Sequence, residues 1–322
     1  MKTLDALRWR PAFITYLGCV KSCLDFLGID ISRPELYGGT GHAYVINIHE
    51  QTCPSGPTAW KCPMLYELAP NLGYEVRGVF AWKAAADPTF TAAQRQAWDF
   101  VRAEIAAGHP CFGWQLRIPD YYLITGYDDV GYYYAGWLAE EGAGPLPWDQ
   151  LGTWDVTMVN VNAVAPAQPA APEQALHDAF AAALKHAFAP GDWINPHYAS
   201  GPAAFDLWES ALESGRAWRD GHTYNAQAWG ECRAMAVEHL LGTSKHLPAL
   251  APLLHATATH YALVRDRLAD LVVLHPPRPD ADWRQEFASA EAAALVRQAG
   301  EAERRGLAGL EAIVHTLAGG TG

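Results

Sequence analysis

The stretch from Val164 to Pro172 reads Val-Ala-Pro-Ala-Gln-Pro-Ala-Ala-Pro. Three prolines spaced by small residues continue neither a helix nor a central strand, so the stretch reads as a short semi-rigid linker. It constrains the fold more than any other feature, because the chain changes character across it. Before it lie short Tyr-, Trp- and Gly-rich segments with strand periodicity; after it lie long Ala- and Leu-rich helical stretches. The expected organisation is a first domain over 1–164, a linker over 165–173 and an all-α helical domain over 174–322. A pocket is expected between the two domains.

In the first part, Leu17, Val20, Leu24 and Leu27 recur at helical spacing, Pro11 suits a first turn, and Gly28 stops the run, predicting a helix over 11–27. A strand is expected over 43–49 and a short helix over 63–71. Further strands are expected over 74–82, 110–116, 121–127, 131–138 and 156–164, with a helix over 92–107 inserted after the first of these. Asp128-Asp129-Val130-Gly131 is a hairpin signal between two of them. Helices followed by an antiparallel meander define an α+β class. In the second part, helices are expected over 172–188, 202–214, 226–241, 249–274 and 282–317, enough for a compact bundle.

Composition removes whole classes of function. Half of the 322 residues are hydrophobic and the formal charge is −12, which excludes a disordered chain and argues against phosphate-backbone binding. No apolar run approaches the roughly 20 residues of a membrane span, and the first residues lack a signal-peptide layout, so a cytoplasmic location is expected. The six cysteines form no CxxC pair, and His239, His246, His255 and His260 form no HExxH or paired ExxH pattern. No metal site is therefore expected, and no cofactor is expected.

Several segments carry candidate chemistry. Thr15, Cys19 and Cys23 are spaced by four and share one helix stripe. Gly39-Thr40-Gly41-His42 offers close backbone approach and an acid/base or ligand contact; the plainer reading is a glycine-rich turn. His49, Glu50 and Cys53 surround a proline-stiffened Cys-Pro-Ser-Gly-Pro loop, a nucleophile pattern that also arises by chance. Cys111, inside Pro110–Trp114, reads as a buried, inert thiol. The aromatics from Trp114 and Tyr121 onward are mostly sheet packing, part of which can wall a cleft. In the helical part Asn225 suits the N-cap of a helix from Ala226. Glu231 and Arg233 stand among apolar neighbours and require partners, either in a pocket or in an interdomain salt bridge.

The segments Cys23–Gly28, Ile31–Gly38, Gly108-His109-Pro110 and Ile124-Thr125-Gly126-Tyr127-Asp128-Asp129 resemble the papain-like cysteine peptidase fold over about residues 12–164. The similarity is to the bacteriocin-leader peptidases and to the N-terminal domain family of butirosin biosynthesis protein H. The resemblance implies an antiparallel sheet with packed helices and a cysteine at the start of the first helix, activated by the helix dipole and a histidine. Counted from Gly28 and Gly126, those two positions hold Thr15 and Asp120. The dyad is therefore substituted, and Cys19, His42 and Asp120 become the candidate catalytic residues. Thr15, Gly39, Thr40, Gly41, Cys53, Trp114, Tyr121, Asn225, Glu231 and Arg233 become candidate substrate contacts. The implied function is acyl transfer or amide hydrolysis on a small molecule, including an acyl group borne by a carrier protein. The alternative is a catalytically inactive small-molecule binder of a biosynthetic pathway.

Overall fold

The computed structural model describes residues 1–82, 87–154, 157–278 and 282–319. In chain order the elements begin with β1 (Lys2–Thr3), α1 (Thr15–Leu27), α2 (Arg33–Gly39), β2 (Asn47–His49), α3 (Met64–Glu67) and β3 (Tyr74–Trp82). There follow α4 (Phe90–Ala107), β4 (Cys111–Trp114), β5 (Tyr121–Tyr127), β6 (Gly131–Gly136), β7 (Ala139–Pro147) and β8 (Met158–Pro166). The chain ends with α5 (Pro172–Phe188), β9 (Tyr198–Ser200), α6 (Gly201–Ser214), β10 (Ala217–Trp218), α7 (Arg219–His246), α8 (Ala251–Leu274), β11 (Glu286–Phe287) and α9 (Ala290–Gly319). The fold is α+β.

Contacts divide it into two compact units: Met1–Ser32 with Leu72–Pro169, and Arg33–Asn71 with Ala170–Gly322. The second boundary falls inside the proline-rich stretch. The first is not announced by the sequence, and residues 33–71, expected in the first domain, stand with the helices. The physical reason is visible at Arg233 on α7. Its guanidinium donates to the carbonyls of Ala43 and Val45 and forms a bidentate, fully buried pair with Glu303 on α9. The segment is thus bonded into the helical unit through backbone groups that no sequence pattern advertises.

The first unit is built on a seven-stranded antiparallel sheet in the order β3-β8-β4-β5-β6-β7, with β1 added to β5 at Gly126 and Tyr127. Strand alternation sorts side chains to two faces. Cys111, Tyr122 and Ile124 join Val159, Val161 and Ala163 in a core with Ala97, Trp98, Val101 and Ile105 of α4, residues at helical spacing. On the other face Phe112 and Tyr121 meet Tyr16 of α1 edge to face, at centroid distances of 5.1 and 5.2 Å.

The helix expected from Pro11 starts at Thr15. Ile14 leaves the helical region at φ −90° and ψ 83°, and the Arg10 N–H bonds to the Ser22 hydroxyl, drawing the preceding chain alongside the helix. At the other end Gly28 adopts φ 69° and the Ile29 N–H reaches back to the Leu24 carbonyl, the expected stop. Strand β7 was not expected, and the strand predicted over 156–164 is β8; its first expected residue, Val156, lies outside the described residues.

The second unit is helical but not all-α as expected, for it carries two short antiparallel ribbons, β2 with β9 and β10 with β11. Helix α8 buries Leu254, Ala258, Tyr261, Val264, Leu268 and Leu271, and α9 buries Val296, Ala299, Leu307, Leu310 and Ile313, both at three-to-four spacing. Helix α7 starts seven residues earlier than predicted, at Arg219 rather than Ala226, so Asn225 is an interior residue and not an N-cap.

Candidate functional site

Thr15 and Asp120, 105 residues apart, are joined by a direct hydrogen bond in which the threonine hydroxyl donates to the carboxylate. Thr15 opens α1; Asp120 ends a tight loop after β4. That loop is closed by the Gln115 N–H on the Asp120 carbonyl at 2.9 Å and by the Asp120 N–H on the Ile118 carbonyl at 2.6 Å. The Tyr121 N–H then contacts both partners, at 3.0 Å from Asp120 Oδ1 and 3.3 Å from Thr15 Oγ1. Burial pushes the Asp120 carboxyl up to about 6, against the pull of the Thr15 hydroxyl and the Tyr121 N–H.

Behind the pair the polar chain continues: Asn160 Nδ2 donates to the Tyr121 hydroxyl at 3.1 Å, and Asn162 Nδ2 to Asn160 Oδ1 at 2.7 Å. Trp114 lies opposite Tyr121 in the β4–β5 register, with rings 5.0 Å apart. Four of the candidates, Thr15, Trp114, Asp120 and Tyr121, therefore form one constellation at the start of α1.

Cys19 lies on the next turn of α1, in surroundings that disfavour a thiolate. It is 0% exposed, and burial, followed by the charge of Asp120, raises its thiol well above the ordinary range. A thiolate there would lose hydration and face a carboxylate at once. Cys23 and Cys111 are likewise buried and raised by desolvation.

The remaining candidates belong to the second unit. His42 stands in a helical turn over His42–Tyr44, fully buried. Desolvation, with the nearby Arg233 charge, lowers it to about 3. Its Nδ1 lies 3.7 Å from Cys232 Sγ, and its ring stacks on Trp229 at 6.1 Å. It is a neutral core imidazole, grouped with Cys232 and Trp229 within the second unit. Gly39, Thr40 and Gly41 are buried as well. The Thr40 hydroxyl bonds to the Leu36 carbonyl, and a Cβ on Gly41 would lie 2.7 Å from the Ala179 carbonyl oxygen. The close approach allowed by Gly41 is to α5.

Glu231 accepts the Tyr37 hydroxyl at 2.6 Å, and Arg233 is consumed by Glu303 and the two carbonyls; both are internal to the helical unit, not an interdomain bridge. Asn225 Nδ2 holds the carbonyls of Thr52, Cys53 and Gly221 and so anchors the loop carrying Cys53. On that loop the Ser55 hydroxyl donates to Cys53 Sγ at 2.9 Å and shares a hydrogen bond with the Tyr198 hydroxyl at 2.7 Å, while His49 packs its ring against Tyr198 at 4.9 Å. Cys53 is half-buried, unlike the core thiols.

Sequence reasoning missed Gln115, Ser55, Tyr198 and Glu303. Gln115 carried no motif; its signal is a non-glycine residue at φ 60°, seen only in the folded loop. Among the described residues no group of three or more His, Cys, Asp and Glu side chains is placed to hold a metal ion, and no helix is long and apolar enough to cross a membrane. Compared with protein-family models and with curated proteins, the sequence matches none.

Proposed function

We propose that this chain handles a small acyl or amide compound at the Thr15–Asp120 pair, as a cytoplasmic acyltransferase or amide hydrolase of papain-like ancestry with a hydroxyl in place of the thiol. One observation carries the reading: a threonine hydroxyl at the positive end of a helix donates to a carboxylate whose pKa is raised to about 6. A base is most effective when its pKa lies near the working pH. The resemblance supports the same assignment, since Thr15 and Asp120 are the residues counted to the two dyad positions.

In the proposed reaction Thr15 Oγ attacks the acyl carbonyl carbon and its proton passes to Asp120. The bond from the carbonyl carbon to the leaving amine, alcohol or thiol breaks, and Asp120 returns the proton to that leaving group. An ester on Thr15 remains. Water or an acceptor amine or alcohol then attacks that ester by the reverse path, giving hydrolysis or acyl transfer. The positive end of α1 favours the negative charge that develops on the carbonyl oxygen.

A second reading, an inactive small-molecule binder, is favoured by the 4% exposure of Thr15. Incubation with p-nitrophenyl acetate followed by peptide mass spectrometry separates the two. The first reading expects an acetyl group on the Thr15 peptide, absent in T15V. No adduct and no turnover, with a ligand-dependent rise in Tm, would establish the binder.

A further inference from the structure

Strand β4 ends at Trp114 and the chain turns at Gln115, entering the loop that delivers Asp120. Gln115 is 3% exposed and Trp114 6%. Neither Oε1 nor Nε2 of Gln115, nor the indole Nε1 of Trp114, has a hydrogen-bond partner among the described residues. Three orphaned polar atoms thus sit on two consecutive residues, Gln115, whose backbone N–H bonds to the Asp120 carbonyl, and Trp114, whose ring meets that of Tyr121. A buried amide or indole N–H left unpaired costs about 1–3 kcal/mol, so such groups normally have a partner. Their spare valences are specific. Trp114 Nε1 and Gln115 Nε2 each need an acceptor, and Gln115 Oε1 needs a donor.

We infer that Trp114 and Gln115 form a carboxamide-recognising subsite beside Thr15 and Asp120, which selects a neutral primary or secondary amide as the group bound there. A carboxamide oxygen accepts from both N–H groups through its two lone pairs, and its own N–H donates to Gln115 Oε1. A carboxylate has no donor for Gln115 Oε1 and would stand beside the Asp120 carboxyl. An ammonium group has no acceptor for either N–H. An ester satisfies the two donors and leaves Oε1 orphaned. This subsite deepens the reading above and rests on its placement of the ligand at the Thr15–Asp120 pair, but it does not require Thr15 to act as a nucleophile.

The test uses benzamide, with benzoate and methyl benzoate as near-isosteres, on the full chain. The readout is the Trp114 indole N–H resonance in a ¹⁵N spectrum, assigned by its loss in W114F. Benzamide is expected to move that resonance, with the other two binding about tenfold more weakly or worse, as befits a lost hydrogen bond in a buried site. Q115L is expected to abolish the benzamide response. Should Q115L fail to fold, Q115E keeps the shape, removes the Nε2 donor and is expected to lose the benzamide preference too. The inference is overturned if benzamide leaves the Trp114 resonance unmoved, which would assign the orphaned atoms to water, if the three ligands bind alike, or if a folded Gln115 variant still binds benzamide as the parent does. T15V keeps the two proposals apart. Benzamide binding retained in T15V, with no acyl adduct in the parent, leaves the subsite standing and removes the nucleophile; an adduct without benzamide binding does the reverse.

Discussion

At the scale of the residue, the start of α1 pairs a hydroxyl with a carboxyl, Thr15 with Asp120, and its electrostatics are the reverse of those that activate a thiol. A thiol is activated by a neighbour that becomes positive, whereas ionised Asp120 is negative and, in the proposed reaction, is neutralised by taking the proton of Thr15. In the proposed reaction Asp120 serves as a base only when ionised, so acyl transfer by that route is expected to rise with pH through about 6 and level off above it. D120N should lose about a hundredfold or more and flatten the profile; a pH–rate profile on p-nitrophenyl acetate checks both. The same reasoning predicts that T15C alone makes a sluggish thiol, because burial and the carboxylate beside it raise its pKa, as burial and then Asp120 already raise that of Cys19. T15C/D120H should label with iodoacetamide at pH 7 faster than T15C, and equal rates would show that Asp120 does not govern the site. The juxtaposition of Thr15 and Asp120 was legible by counting from Gly28 and Gly126. Gln115 was not, because an orphaned amide is a property of the folded loop and leaves no mark on the sequence.

At the scale of the element, strands β3 and β5 and helix α5 stand at the predicted residues, because their periodicity is strong and their ends are marked by Gly, Asp or Pro. Strand β7 was missed because its Glu-Glu-Gly-Ala-Gly-Pro run lacks alternation; it is a sheet edge, where polar residues and proline are tolerated. The early start of α7 was missed for a different reason. Gly221, His222 and Asn225 are poor helix formers, kept helical by burial and by long-range bonds such as those from Asn225 to Thr52 and Cys53. The bond that joins α7 to α9 yields a prediction at this scale. R233M strands Glu303 as an unpaired, buried acid and should lower stability by about 3–5 kcal/mol, whereas R233M/E303L removes both charges and should recover much of that loss. Urea unfolding of the two variants checks it. A double variant as unstable as the single one would place the stabilisation in the bonds from Arg233 to Ala43 and Val45.

At the scale of the whole molecule, the two units differ in their response to mild acid, between about pH 6.5 and 5. The second unit buries His42, His186 and His222, each lowered to about 3 by desolvation, and His239, lowered to about 4. These imidazoles are neutral when folded and take up a proton when unfolded below the ordinary histidine pKa near 6.5, so acid favours the unfolded chain. Stability is full above about 6.5 and declines as the pH falls towards 3–4. Between pH 6.5 and 5 the loss is about 2 kcal/mol per histidine, and it does not depend on how far below 5 the folded value lies. The buried Glu303 carboxyl, raised by desolvation, opposes this in part. In the first unit Asp120 is raised from the usual carboxylate value to about 6, so at that group acid works in the stabilising direction between about 6 and 4. The hydrogen-bonded carboxyls of Asp25, Glu104 and Asp128, by contrast, are lowered, and their stabilising effect is lost only as the pH falls through and below the usual carboxylate range. Hydrogen exchange read by mass spectrometry at pH 7.5 and 5, with intrinsic rates corrected, should therefore show protection falling in peptides of α5 to α9 before those of β3 to β8. His186 gives the sharpest control, since neither ring nitrogen has a partner among the described residues. H186F should gain about 2 kcal/mol more at pH 5 than at pH 7.5 relative to the parent chain; equal effects at the two pH values would mean that His186 is not the neutral, buried imidazole that makes this unit acid-sensitive.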